Sequence, residues 1–213
     1  MLSKALLGLI VVICLAFTAG VASADPSLQL YLKGGSWDSV TETWVANGGS
    51  SFQLWVIADR GSVLDVKLSA VYLSTESPIF TITPTTTGGF GGFADPSTPG
   101  APTLVATGVD TVPTRGDGSA LPSHGEYGPG KTWSEFLLGD MDGVDSPGAD
   151  FQSILPSPSA ALEGQINAYD ISVTGASVVH FDTFDHVVVG GNRVKYVFGP
   201  FSHDGEAGVF MGF

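Results

Sequence analysis

The sequence predicts an all-β protein: a single domain built as an antiparallel β-sandwich or jelly roll, which follows a cleaved signal peptide. Apolar side chains recur at alternate positions in most segments, and such alternation points them to one face of a strand. Glycine and proline separate these segments at short intervals, whereas segments with helical spacing are scarce. About nine to eleven short strands divided by such turns are typical of a sandwich.

The first 24 residues have the pattern of a secretory signal peptide. Lys4 supplies a positive charge, residues 5–19 are an almost unbroken apolar run, and small residues at 22–24 precede the predicted cleavage after Ala24. The run is shorter than the roughly 20 residues that cross a membrane as a helix. We therefore expect an exported protein, secreted or held at the cell surface, with residues 25–213 as a folded domain without a membrane span.

Cys14 lies inside the apolar run and raises the alternative of a lipid anchor. A lipoprotein signal needs a small residue just before the cysteine, and Ile13 occupies that position. We interpret Cys14 as one more apolar residue of the leader. It is the only cysteine in the sequence, so the exported domain has none and cannot use disulfides.

The exported domain is strongly acidic. Removal of Lys4 with the leader leaves seven basic against 21 acidic residues, a net charge of −14 with histidine neutral. Nucleic-acid affinity comes largely from Lys and Arg that neutralise phosphates, so we expect no nucleic-acid partner and no anionic membrane surface. The charge favours solubility, and binding of a divalent cation is the alternative interpretation.

Strand patterns follow one another along the exported domain. In residues 64–72, Leu64 and every second residue after it are apolar, which predicts a strand with one buried face. Residues 52–58 are apolar at both sets of positions, which predicts burial on both faces. Residues 187–197 predict a hairpin, because Gly-Gly-Asn at 190–192 tolerates the positive φ of a tight turn. The remaining predicted strands are 28–33, 41–46, 79–83, 103–109, 133–138, 165–173 and 178–185.

Residues 84–131 form a long region that is rich in Gly, Pro and Thr. Connections of this length are uncommon in compact domains, and they usually have a function or are mobile. We expect an ordered meander that contains the strand at 103–109, with a mobile part near 114–120.

Four carboxylates cluster after the predicted strand at 133–138. Calcium prefers several oxygen ligands from a flexible loop, and Gly143 would let this loop turn sharply. The spacing does not match an EF-hand, because Leu138 and Ala149 would then occupy ligand positions. A calcium site therefore competes with the interpretation as a solvated turn. The candidate ligands are Asp140, Asp142, Asp145 and Asp150.

A second polar group lies in and after the strand at 178–185. Alternation puts His180, Asp182 and His186 on one face, where they could hold a transition metal or pair a base with its orienting group. The two histidines are roughly 20 Å apart along a strand, which favours cross-strand packing over one shared ion. The Ser-His-Asp run at 202–204 does not predict a hydrolytic triad, since adjacent side chains point apart. We assign no catalytic residue.

Three aromatic side chains and one histidine are the candidate ligand contacts. Trp37 and Trp44 are predicted on adjacent arms of a hairpin, where indole rings could stack on sugar rings. His124 and Tyr127 lie in a turn-rich segment of the long loop. The alternative for all of them is packing in the core, across strands or within a turn, which needs no ligand.

An ordered set of motifs covers nearly the whole exported domain. The motifs are Leu-Tyr-Leu at 30–32, Gly-Ser-Trp-Asp-Ser-Val-Thr-Glu-Thr-Trp-Val at 35–45, Asp-Val-Lys-Leu-Ser at 65–69, His-Gly-Glu-Tyr-Gly-Pro-Gly at 124–130, Asp-Ser-Pro at 145–147, Gly-Gln-Ile-Asn-Ala-Tyr at 164–169, His-Phe-Asp-Thr-Phe-Asp-His at 180–186 and Pro-Phe-Ser-His-Asp at 200–204. This set resembles the bacterial surface proteins called choice-of-anchor N, a domain of unknown function that a sorting tail usually follows. The resemblance implies an exported bacterial protein and names no activity or ligand.

The end of the chain departs from that family. Its members usually end with a short Pro-rich motif, an apolar helix and basic residues, whereas this chain ends with Gly-Val-Phe-Met-Gly-Phe at 208–213. Loss of the tail and release of the protein are the two alternatives. Covalent anchoring is therefore not carried over.

These observations predict a secreted or surface-associated module that binds or builds structure without catalysis. Its expected partner is a polysaccharide or protein of the cell surface or matrix. The alternative is a calcium-assisted carbohydrate-binding or carbohydrate-active enzyme domain. An enzyme of that kind needs two carboxylates roughly 5 to 10 Å apart across a cleft, and the sequence does not show which of its acids would form that pair.

Overall fold

The computed structural model describes residues 27–41, 43–59, 63–85, 101–114, 119–121, 126–141, 146–147, 163–189, 193–198 and 204–208. The prediction of an all-β fold is confirmed, since these ranges contain thirteen strands and no helix. The predicted leader and its cleavage site lie outside them. The strands are β1 (Ser27–Leu32), β2 (Ser36–Asp38), β3 (Thr43–Val45), β4 (Ser51–Asp59), β5 (Val63–Leu73), β6 (Ile79–Thr85), β7 (Thr103–Val109), β8 (Lys131–Met141), β9 (Ser146–Pro147), β10 (Glu163–Thr174), β11 (Val178–Val189), β12 (Arg193–Phe198) and β13 (Asp204–Gly208).

Every strand predicted from alternation is present, and the hairpin at 187–197 is formed by β11 and β12. The strand at 103–109 has the predicted bounds and lies inside the long region 84–131. Thr114 and Ala120, in the part of that region predicted to be mobile, form an isolated antiparallel bridge. The strands that prediction missed are β2, β9 and β13, which are two to five residues long and have too few residues to show a period.

The strands form two sheets. The first has the order β1-β4-β10-β6, with β9 also paired to β10. The second has the order β2-β3-β13-β11-β5-β8-β7, with β12 also paired to β11. Among the described strands, every pair is antiparallel except β13 with β3. The order places β2 and β7 at opposite ends of the second sheet.

The inner faces of the two sheets pack on one hydrophobic core. Aromatic rings meet across the interface: Phe52 of β4 lies 5.6 Å from Phe181 of β11, and Phe80 of β6 lies 5.5 Å from Phe136 of β8. Burial of each large apolar side chain contributes about 1.5–3 kcal/mol, so the contact between the sheets is the main source of stability. The arrangement is a β-sandwich, as predicted.

Strand β4 is buried on both faces, which confirms the prediction from its unbroken apolar run. All five residues 54–58 are buried. One set of side chains faces the second sheet, and β1 and β10 cover both edges of the strand. No helix in the described ranges is long and apolar enough to cross a membrane.

The alternation predicted for β5 is wrong at its first residue. Val63 and Val66 both enter the core, whereas Leu64 is only half-buried. The register against β8 shifts between Val63 and Val66, and Asp65 has a φ of 52°. This bulge inserts an extra residue and reverses the side-chain alternation, an event that a simple two-residue period cannot show.

Strand β7 ends the second sheet, and a tight contact places it there. Gly108 lies under the indole ring of Trp133 on β8, and the indole N–H donates to Thr111 Oγ1 at 3.2 Å. A Cβ added at Gly108 would lie 2.5 Å from the ring and 2.6 Å from that oxygen. Only a residue without a side chain fits this position.

We expect Gly108→Ala to lower the free energy of unfolding by about 2 kcal/mol, because the added methyl displaces Trp133 or bends β7. Chemical denaturation followed by tryptophan fluorescence measures the loss. The neighbouring Thr107→Ala, at an exposed position, is the control and should stay within about 0.5 kcal/mol. Equal stability of both variants would contradict the close packing at Gly108.

Candidate functional site

The hairpin of β2 and β3 pairs two tryptophans. Trp37 and Trp44 are direct cross-strand partners, which confirms their placement on adjacent arms. Their ring centroids lie 5.3 Å apart with an interplanar angle of 58°. Trp44 is 4% exposed and packs edge-on against Tyr31 at 4.8 Å, so it belongs to the core. Trp37 is only half-buried and is the outer member of the pair.

Polar side chains fix the backbone around Trp37. The Asp38 carboxylate accepts the N–H of Val40 at 2.8 Å and that of Thr41 at 3.4 Å, which closes the turn between the two arms. These two hydrogen bonds, that of Val40 first, lower the pKa of Asp38 below its usual range. The carboxylate is therefore ionised at neutral pH.

Asn47 ties the hairpin to the preceding turn. Ser36 Oγ donates to Asn47 Oδ1 at 2.9 Å, and Asn47 Nδ2 donates to the carbonyl of Gly34. Gly34 has a φ of 76°, a conformation that favours glycine. Hydrogen bonds thus fix the backbone of the hairpin on both sides of Trp37, while alternation along β2 puts the side chains of Ser36 and Asp38 on the face opposite its ring.

The other predicted contacts do not join this surface. Tyr127 is half-buried and lies just before β8, whereas Trp37 lies on β2. Five strand spacings of about 4.8 Å separate β2 from β8, so these two side chains are roughly 24 Å apart across the sheet. His124 lies outside the described residues.

The acidic segment is only partly described. Asp140 lies inside β8, not in the loop after it as predicted, and its Oδ1 accepts the backbone N–H of Asp65 at 2.8 Å. This hydrogen bond holds the bulge of β5 in its positive-φ conformation. Asp142, Asp145 and Asp150 lie outside the described residues, and no group of three or more metal-binding side chains occurs within them. The calcium site stays a prediction.

We expect Asp140→Ala to cost about 1 kcal/mol of stability with or without calcium, because the bulge loses its hydrogen-bond acceptor. Asp140→Asn keeps an acceptor oxygen and should retain most of the stability. Melting temperatures of both variants, measured with calcium and with a chelator, separate the two roles. Equal losses in both variants that occur only with calcium would show that Asp140 is chiefly a ligand.

A buried polar strip crosses the outer face of the second sheet. The register aligns Asp182 of β11, Ser69 of β5 and Glu135 of β8 in one row. Asp182 is 1% and Glu135 4% exposed, and Ser69 is fully buried. His180 lies on the same face, with its Nε2 3.5 Å from Asp182 Oδ1, as alternation predicted. Position 186 follows a register shift after Phe184, and its side chain lies outside the described atoms.

Lys67 forms ion pairs with two acids, Glu135 and Asp65, at one end of the strip. Its Nζ lies 3.3 Å from Glu135 Oε1 and 3.3 Å from Asp65 Oδ2. The ammonium also lies 5.8 Å from the centroid of the Phe184 ring, a cation–π contact. Lys67 is the basic group that compensates the buried carboxylate of Glu135.

The pKa values of Glu135 and Lys67 are both raised above their usual ranges. Burial raises the pKa of Glu135 above its usual range, although the attraction of Lys67 opposes the shift, and repulsion from Asp65 adds to it. Burial disfavours the charge of Lys67, but the combined attraction of Glu135 and Asp65 outweighs that cost and raises its pKa. A raised pKa means that the folded state holds the proton more tightly than the unfolded chain. The stability that Glu135 contributes is therefore greatest below the usual Glu pKa of 4.5 and falls as the pH rises through the raised value.

We expect Lys67→Met to cost about 3 kcal/mol at about pH 7, because it leaves a buried carboxylate without its partner. At about pH 5 the cost should be smaller, since the raised pKa of Glu135 favours its protonated form as the pH falls, and a protonated carboxyl needs no counter-charge. Urea unfolding at both pH values measures the difference. Lys33→Met, at an exposed lysine, is the control and should show no pH-dependent loss. An equal cost at both pH values would contradict the role of Lys67.

Two acids of the strip, Asp182 and Glu135, lie on one face of the second sheet. Asp182 and Glu135 both lie opposite Ser69, so their Cα atoms are two strand spacings, about 10 Å, apart. A substrate would have to reach carboxylates that are at most 4% exposed. No sequence motif predicts the strip, because its members come from three strands and only the strand register brings them together.

The fold, the tryptophan hairpin of β2 and β3 and the buried polar strip define the class of this protein. It is a two-sheet, antiparallel β-sandwich with an aromatic hairpin at one edge. Comparison of the chain with models of known protein families and with curated proteins finds no match. The resemblance to the choice-of-anchor N proteins stays a prediction that rests on the sequence motifs.

Proposed function

We propose that this protein is a non-catalytic binding module of an exported bacterial protein, and that it binds a polysaccharide of the cell surface or matrix through Trp37. The observation that carries the proposal is the different burial of the two paired tryptophans. Trp44 is buried in the core, whereas its direct cross-strand partner Trp37 is only half-buried and keeps part of its surface accessible at the edge of the sheet. A buried ring that supports an accessible ring is a rigid platform.

The hairpin that carries Trp37 offers the group types that a sugar needs. The apolar face of an indole covers the C–H face of a pyranose ring, and the ring hydroxyls need donors and acceptors. Asp38, Ser36 and Asn47 supply polar groups on the same hairpin and its flanking segment, and hydrogen bonds fix them before a ligand arrives: Ser36 bonds to Asn47, and Asp38 accepts the N–H of Val40. Preorganisation of this kind lowers the entropic cost of binding. The net charge of −13 favours a neutral or basic polymer over an acidic one.

We expect Trp37→Ala to weaken polysaccharide binding at least tenfold, a loss of about 1.4 kcal/mol, and to cost less stability than Trp44→Ala, because Trp37 is only half-buried. Trp44→Ala should instead destabilise the fold by about 3–5 kcal/mol. A glycan array with and without calcium, followed by affinity measurement on the best ligand, tests the difference. Val40→Ala, in the same turn at 90% exposure, is the control for surface effects.

Two outcomes would contradict the assignment of Trp37. Glycan binding that Trp37→Ala leaves unchanged would place the ligand elsewhere on the domain. Absence of binding to any glycan, with binding to a matrix protein instead, would replace the polysaccharide by a protein as the partner. In the second case the module remains non-catalytic but its ligand class changes.

The alternative proposal is a carbohydrate-active enzyme, and the acids of the buried strip are the observation that favours it. An inverting glycosidase holds its two carboxyl groups roughly 6.5–9.5 Å apart. Asp182 and Glu135 point to one face of the sheet, and their Cα atoms are two strand spacings, about 10 Å, apart. A hydrolase screen on the polysaccharides that bind tests it. Turnover that Glu135→Gln abolishes and Trp37→Ala only weakens would favour the enzyme over the binding module.

A further inference from the structure

Strand β7 has one free side in the described part of the chain. It pairs with β8 on one side, and no described strand pairs with its other side. The backbone N–H and C=O groups on that side are those that an added strand would use. Its apolar side chains are also accessible: Leu104 is 57%, Val105 48% and Val109 55% exposed.

Three other edge strands, β1, β6 and β2, are protected in ways that β7 is not. The described side chains of β1 are all buried, and β6 contains Pro84, which has no N–H to offer. Strand β2 is only three residues long and includes Asp38. By contrast, β7 has seven residues, four of which are β-branched, and it contains no charged residue and no proline. Proteins usually protect an exposed edge strand with a charged residue, a proline or a very short strand, and β7 has none of these.

The two faces of β7 differ in size. Ala106 and Gly108 share the face of Glu135 and Trp133, so this face carries only small residues. Thr107 and Val109 point to the opposite face, where both are exposed. Val105 is the extra residue of a bulge, since the register shifts between Leu104 and Ala106.

We propose that β7 pairs antiparallel with β7 of a second copy of this chain. Antiparallel pairing about a twofold axis at Thr107 puts Ala106 opposite Gly108 of the second copy and Val105 opposite Val109. Small residues then meet small residues on one face, and β-branched residues meet on the other. Cross-strand contacts of β-branched residues stabilise such a pair, and no like charges face each other.

The charge distribution favours a second copy over a basic partner strand. A basic peptide would need acidic side chains on the edge, and β7 has none. The strand that matches β7 in charge, size and β-branched character is β7 itself. Pairing about a twofold axis uses the same edge of both copies. No exposed edge of β7 is left for a third copy, so association stops at the dimer.

The acidity of the chain predicts how dimerisation depends on salt. Two copies of net charge −13 repel each other at long range, and salt screens this repulsion. Association should therefore strengthen as the salt concentration rises. A partner held by charge complementarity would show the opposite dependence.

A cysteine cross-link tests the register. Cys14 is the only cysteine, so in a Cys14→Ser background Thr107→Cys carries a single thiol. At the twofold axis the two Cβ atoms lie about 4.5–5.5 Å apart, near the range that a disulfide spans. Mild oxidation should give a linked dimer on a non-reducing gel. Thr81→Cys, at an exposed position of β6, is the matched control and should stay monomeric.

Sedimentation velocity tests the association without a cross-link. The unaltered protein should sediment as a dimer, with more dimer at higher salt. Thr107→Lys should weaken dimerisation about tenfold or more, because it places like charges opposite each other at the axis. An unchanged circular dichroism spectrum and melting temperature would show that this variant still folds.

Three results would overturn the proposal. The first is an unaltered protein that stays monomeric at every concentration and salt level. The second is equal cross-linking of Thr107→Cys and Thr81→Cys. The third is a dimer that Thr107→Lys leaves intact, which would place the contact on another surface. None of these results bears on Trp37, because β2 lies at the opposite end of the sheet.

Discussion

The contact between the inner faces of the two sheets is the constraint on which the rest of the structure depends. The sequence has a single cysteine, Cys14, so no disulfide within the chain can replace the burial of apolar side chains. Phe181 meets Phe52, and Phe136 meets Phe80, across the interface. Each strand must keep its apolar residues on this face, and the bulge at Asp65 shows how β5 restores that alternation after an extra residue.

The register that serves the core also assembles the outer face. Once Leu68 and Phe136 face inward, Ser69 and Glu135 must face outward, and β11 adds Asp182 to the same row. Because this face is buried as well, its charges require a counter-ion, and Lys67 provides it at 3.3 Å from Glu135. The polar strip is therefore a consequence of strand pairing, and its electrostatic cost is met within the sheet.

The two ends of the second sheet are chemically different. At β2, a half-buried aromatic ring is flanked in sequence by polar residues that hydrogen bonds hold in place. At β7, the strand is uncharged and apolar, a combination suited to another strand. Separate edges allow one domain to hold a ligand and a second copy at the same time, since neither contact covers the other.

The sequence by itself determined the all-β class, the longer strands and the cross-strand pairing of Trp37 with Trp44, because alternation and turn residues are local signals. It could not show that Trp44 is buried and Trp37 accessible, nor that Asp140 lies inside β8 and holds the N–H of Asp65. Only the tertiary structure decided these points and the row of Asp182, Ser69 and Glu135. Each depends on which strands become neighbours and in what register, and neither is encoded within a single segment.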